Sequence, residues 1–134
     1  MLYLDTEINM KKIISTTKAP SAIGPYSQAI LSNDTLYCSG QIAINPATGN
    51  LVMDNITNET TQVMKNISEV LKEADMDFTN VVKCSIFMKS MDDYTEINKV
   101  YGKYFSNNPP VREAVQVSVL PKNVNVEISV IAVK

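Results

Sequence analysis

From Val124 to Val133 the even positions Val124, Val126, Ile128, Val130 and Ala132 are all apolar, while Asn125, Glu127 and Ser129 alternate with them. Such alternation marks a strand with one face in a core. Val111 to Val119 also alternates, with Val111, Glu113, Val115, Val117 and Val119 on one side and Arg112, Ala114, Gln116 and Ser118 on the other. Upstream, Ile13-Ile14, Gln28 to Ser32, Thr35 to Gln41 and Val81 to Met88 read as further strands. Ser32-Asn33-Asp34 is turn chemistry, so the second and third strands should form a hairpin. The period changes at Val63, Ile67, Val70, Leu71 and Ala74, which predicts a helix over about Thr57 to Ala74, capped by Thr57 or Asn58. Tyr94, Ile97, Val100, Tyr101 and Tyr104 predict a second helix over Asp92 to Phe105, stopped by Pro109-Pro110.

The resulting order is β-β-β-α-β-α-β-β, which implies an α+β fold: one sheet with two helices on one face. Residues 1–9 read as an N-terminal extension and residues 10–134 as a single domain. The last two strands, joined through Leu120-Pro121-Lys122-Asn123, are expected to pair antiparallel, so that residues whose numbers sum to about 239 face each other. Arg112 then stands beside Glu127, both pointing away from the apolar face. That outer face would carry Arg112, Ala114, Gln116, Glu127 and Ser129 beside apolar neighbours, the composition of an oligomer interface.

Composition narrows the chemistry. The chain has no His, which removes the commonest general base and metal ligand and excludes Ser-His-Asp, Cys-His and HExxH sites. The net charge is -2, and no run of Lys or Arg exceeds Lys11-Lys12, so the basic stripe of a nucleic-acid binder is missing. No apolar stretch approaches the roughly 18 residues of a membrane span, and the N-terminus lacks a secretory pattern, so a cytoplasmic location is expected. Cys38 and Cys84 stand far apart, without CxxC spacing, and read as free buried thiols. The glycines form no phosphate-binding loop, so no nucleotide cofactor is expected.

The residues left to carry chemistry are few. Arg112 offers a planar fork for a carboxylate, and Glu127 a group that orients or deprotonates water. The pair also reads as a surface ion pair, worth about 0.5 kcal/mol. Tyr26, in the turn Gly24-Pro25-Tyr26, could be aimed into a cleft or packed in its loop. Gly40, after Ser39, permits close backbone approach or marks a bulge. Asn98 carries no signal alone.

Taken together, IGPYSQA (Ile23 to Ala29), CSGQIAINPATG (Cys38 to Gly49), VVKCSIFMK (Val81 to Lys89), PPVR (Pro109 to Arg112) and LPKNVNVEISVIA (Leu120 to Ala132) resemble the reactive intermediate deaminase, or RidA (YjgF-type), family. The resemblance runs from about Met10 to the C-terminus. It implies a chorismate-mutase-like α+β fold, a homotrimer with sites at the subunit interfaces, and hydrolysis of 2-iminobutanoate and 2-iminopropanoate to 2-keto acids and ammonia without metal or cofactor. It also implies that Arg112 holds the substrate carboxylate and Glu127 handles the water, with Tyr26, Ser39, Gly40 and Asn98 around the substrate. One departure is Ala114, where the family often has Cys or Thr; the contact implied there is chiefly backbone, which Ala keeps. The alternatives are a non-enzymatic module that binds a small carboxylate, and an endoribonuclease, against which the acidic balance argues.

Overall fold

The computed structural model describes residues 11–134; the proposed extension and its boundary at residue 10 lie outside that range. The strands are β1 (Lys12–Ile14), β2 (Ala29–Ser32), β3 (Thr35–Gln41), β4 (Val81–Met88), β5 (Val111–Gln116) and β6 (Val126–Val133), and the helices α1 (Ile56–Glu73) and α2 (Tyr94–Gly102). This is the expected succession of elements. The strands form one six-stranded sheet in the order β1-β2-β3-β6-β4-β5. The turn between β2 and β3 places Asn33 at a φ of 53°, a conformation asparagine tolerates.

The cap of α1 is Asn55, just ahead of the expected Thr57 or Asn58. Asn55, extended at φ -155°, accepts the Asn58 N–H at 2.8 Å, so Asn58 is capped rather than capping. Its own amide donates to Asp54 at 2.7 Å. α2 is shorter than its periodicity suggests, because Met91–Asp93 is a separate 3-10 turn capped by Ser90. Val63, Met64, Ile67, Val70 and Leu71 of α1 and Ile97 and Val100 of α2 pack against Ile86, Met88, Val126 and Ile128 of the sheet. No helix among the described residues is long and apolar enough to cross a membrane.

The pairing of the last two strands differs from expectation. β5 and β6 do not form a hairpin. β5 runs parallel to β4 at the sheet edge, and β6 lies between β3 and β4, antiparallel to both. The 3-10 turn Pro121–Asn123, with Lys122 and Asn123 at φ 55° and 56°, lies between β5 and β6. The physical reason lies in the two strands' faces. Val126, Ile128, Val130 and Ala132 are all buried, with half-buried residues between them, which suits a central strand. β5 has no fully buried residue and takes the edge.

The facing of β5 is corrected as well. Ile14, Ala29, Cys38, Val130, Cys84 and Arg112 form one row across the sheet, on the side covered by the helices. Arg112 and Ala114 therefore point toward the helices, while Val111, Glu113 and Val115 point away. Glu127 and Ser129 do lie on the open side, opposite Phe87 and Ser85. There Ile13, Tyr37, Val111 and Val115 are 63, 52, 69 and 42% exposed, a wide apolar surface for one chain of this size.

Ile67 sits on α1 with no exposed surface. Ile67→Ala should lower stability by about 2–5 kcal/mol, read as a lower urea midpoint with little change in slope.

Candidate active site

One group of predicted residues surrounds a cavity of about 340 Å³ beside the open sheet face. Its lining comprises Ile23, Tyr26, Ser39, Gly40, Ile42, Pro121 and Glu127. Gly24 and Pro25 turn the chain sharply, and the Tyr26 N–H donates to the Gly24 carbonyl at 2.8 Å. This loop is tied to β3 by Ser39, whose Oγ donates to the Ser27 carbonyl at 2.6 Å and whose N–H donates to the Gln28 carbonyl at 2.9 Å. The Gln28 side chain, buried, bonds Thr16, Ala19 and Pro20 and fixes the preceding segment.

Between Cys38 and Gln41 the register of β3 against β6 slips, and Gly40 lies in that irregularity. A Cβ on Gly40 would come within 2.7 Å of the Glu127 carboxyl carbon and Oε2. The Glu127 head therefore rests on bare backbone, and only glycine leaves room for it. Burial raises the Glu127 pKa above its ordinary value. The carboxyl is thus poised as a base of greater proton affinity than an exposed glutamate.

Arg112 lies elsewhere. Its register partner is Cys84, whereas that of Glu127 is Phe87, three residues along β4. Within one chain the two side chains project to opposite faces of the sheet, so neither the cross-strand site nor the surface ion pair exists. The carboxylate that meets a cation on the open face is Glu113, with Lys83 at 3.6 Å and Ser85 at 2.5 Å.

The guanidinium is held by α2. Nη1 donates to Asn98 Oδ1 at 2.7 Å and Nη2 to the Tyr94 hydroxyl at 2.9 Å. The Arg112 Cζ stands 5.6 and 5.1 Å from the ring centres of Tyr94 and Tyr101. Positions 94, 98 and 101 form one stripe of the helix, which is why three side chains converge on one group. Both acceptors are neutral, so the positive charge is not cancelled, and each terminal nitrogen keeps a second N–H for a ligand. Beneath it, burial pushes the Cys84 thiol up to about 11 and, with the neighbouring Cys84, raises Tyr101. Burial pushes Cys38 up to about 12, and both cysteines are free. Ala114 packs toward the core beside Ile86 and belongs to the edge strand, whose outer backbone row is unpaired within the sheet.

Tyr26, Ser39, Gly40 and Glu127 are thus brought together in one place, and Arg112, Asn98 and Ala114 in another. Tyr94 was legible only as a member of the helix stripe; its signal was its position four residues before Asn98. Ile42 follows the third strand and Pro121 lies in a turn, and only the folding of their segments against Glu127 makes them cavity walls. Among the described residues no three His, Cys, Asp or Glu side chains gather as a metal-holding group.

The chain is thus an α+β protein with one sheet, a seated guanidinium on one face and a glutamate cavity on the other. The sequence profile of the family described as Endoribonuclease L-PSP matches residues 16–134. The human 2-iminobutanoate/2-iminopropanoate deaminase is 46% identical over 125 residues, 93% of this chain and 91% of its own. A Lactococcus lactis protein named as the regulator AldR is 52% identical over 121 residues, 90% of this chain and 96% of its own. The Escherichia coli TdcF structure with bound serine superimposes with a TM-score of 0.89 at 35% identity, covering 92% of this chain and 99% of that one. The chain belongs to this family, that of the RidA and YjgF proteins.

Gly40→Ala should preserve the fold and displace the Glu127 head, visible as an altered Glu127 rotamer in a crystal structure. Glu127→Gln should raise the melting temperature at pH 7. The sign follows from linkage: a carboxyl whose folded pKa exceeds its unfolded value favours the folded state when protonated, and that advantage is lost as pH rises through the folded pKa. The gain from Gln should therefore shrink as pH falls through the raised folded pKa and be gone once pH is below the ordinary glutamate value of 4.5, which a melting series across pH 3.5–7.5 would reveal.

Proposed function

We propose that this chain hydrolyses 2-imino acids, 2-iminobutanoate and 2-iminopropanoate, to 2-keto acids and ammonia, at sites completed between the subunits of a homotrimer. The observation that carries the reading is the Arg112 guanidinium, held by neutral acceptors and left charged, on the sheet face opposite the Glu127 cavity. Neither half binds and hydrolyses an imino acid alone. Joined across an interface, they supply a carboxylate anchor and a water-handling base. The exposed Ile13, Tyr37, Val111 and Val115 support such an assembly, because water contact with that surface is unfavourable.

In this reading Arg112 of one subunit takes the substrate carboxylate, with Asn98 and Tyr94 fixing the fork. Ile23, Ile42 and Pro121 of the neighbouring cavity receive the short aliphatic tail, and Tyr26, Ser39 and the edge backbone at Ala114 line the rest. Glu127 accepts a proton from water as the oxygen attacks the C=N carbon. Glu127 passes that proton to the imine nitrogen, giving the neutral carbinolamine, which then collapses: Glu127 takes the hydroxyl proton as the C=O bond forms and hands it to the nitrogen as the C–N bond breaks, so ammonia leaves the 2-keto acid. Imine hydrolysis is already fast in water, so a few kcal/mol from positioning and electrostatics suffice. The relatives named as deaminases support this substrate class, and serine bound to TdcF supports a small carboxylate ligand. Buried, unpaired Cys38 and Cys84 accord with a reducing cytoplasm.

A second reading, a regulatory module that binds a small carboxylate without turnover, is favoured by the name of the Lactococcus relative. The family description raises ribonuclease activity, but a net charge of -2 offers phosphates little attraction.

The test generates 2-iminobutanoate in situ with a threonine dehydratase and follows keto-acid release. The wild-type chain should accelerate it, and Arg112→Ala and Glu127→Gln should each abolish the acceleration. Co-refolding the two inactive variants should restore about a quarter of the wild-type rate, because random mixing leaves about one composite site in four with both native groups. Binding without acceleration would select the regulatory reading. No recovery on mixing would place the site within a single subunit.

A further inference from the structure

The first turn of α1 carries a carboxylate with no exposed surface. Glu59 is fully buried. Its Oε2 accepts the Asn125 backbone N–H at 2.8 Å, and its Oε1 accepts from Asn125 Nδ2 at 2.8 Å. Two turns further along the same helix, buried Asn66 donates from Nδ2 to the Ile42 and Ile44 carbonyls at 3.1 and 2.9 Å. Its Oδ1 accepts from Gln62 at 2.9 Å. A helix lying on a hydrophobic core has no need of such groups, and burying a carboxylate is costly unless its partners are well placed.

The two segments so held are the two walls of the Glu127 cavity. Asn66 fastens the wall that contains Ser39, Gly40 and Ile42. Glu59 fastens the other, since Asn125 lies between Pro121 and Glu127. Asn125 is gripped from its second side by the Lys89 N–H, which donates to its carbonyl at 2.9 Å. The Lys89 ammonium donates to Asn123 Oδ1 at 3.1 Å. Lys122 and Asn123, with φ of 55° and 56°, are in a left-handed conformation that needs such restraint.

We propose that Glu59 is a positioning residue for the reaction. Through Asn125 it sets where Glu127 lies on the Gly40 backbone, with Asn66 making α1 the common anchor of both cavity walls. The proposal rests on the deaminase reading and adds a residue that touches neither substrate nor water.

A swap of donor and acceptor tests it. In Glu59→Gln the amide oxygen still takes the Asn125 N–H, and the NH₂ can meet a flipped Asn125 oxygen, so kcat should stay within about twofold of wild type. Glu59→Ala should lower kcat about tenfold per folded molecule with KM nearly unchanged, because Arg112 is undisturbed on the other face. Asn125→Asp should lower kcat similarly by opposing two carboxylates, and Glu59→Gln/Asn125→Asp should restore it. A purely structural role would change the melting temperature and leave kcat per folded molecule intact. The proposal is overturned if folded Glu59→Ala keeps the wild-type kcat, or if the double variant is no faster than Asn125→Asp. If Glu59→Ala does not fold, the swap decides. Should wild type fail to accelerate hydrolysis, the deaminase reading falls, and a Glu59→Ala crystal structure with Glu127 unmoved on Gly40 overturns the positioning role separately.

Discussion

The insertion of β6 between β3 and β4 determines where every functional group ends up. A strand has two faces, and consecutive residues cannot share one. Once Val126, Ile128 and Val130 are committed to the core under the helices, Glu127 must face the open side. Once β5 is displaced to the edge beyond β4, with Arg112 level with Cys84, the guanidinium must face α2. The same sheet that brings Glu127 down onto Gly40 therefore holds Arg112 away from it.

That separation has an electrostatic consequence. A guanidinium beside a glutamate would form an ion pair, satisfied and largely neutral, with reduced attraction for a ligand's carboxylate. Held instead by Asn98 and Tyr94 and stacked near two rings, Arg112 keeps its full charge and a fixed orientation. Glu127 is raised in pKa by burial. Each group is free of the other's charge, as the proposed site between two subunits requires.

The polar residues inside the core follow the same logic. Glu59, Asn66 and Gln28 are buried and hydrogen-bonded, and each ties a loop at the cavity to a regular element or a neighbouring segment. The hydrophobic contacts of α1 determine that the helix lies on the sheet. The directional bonds of its polar residues determine how the irregular segments above it are spaced, which nondirectional packing cannot do.

The order of strands and helices, the core faces of α1 and β6, and the small set of chemically able residues were legible in the sequence, because periodicity reports directly on which side of an element is buried. Gly40 and Tyr26 could be suspected from local backbone chemistry, and Asn98 only from resemblance. The partner of β5 was not legible. Alternation gives a strand's face relative to its own neighbours but carries no information about which strand lies beside it, and a short connection through Leu120-Pro121 permits either a hairpin or a passage over β4. Competition among all the strands for the buried central position settled that question, and with it the facing of Arg112, the seat made by Tyr94, and the placement of Arg112 and Glu127 on opposite faces of the sheet.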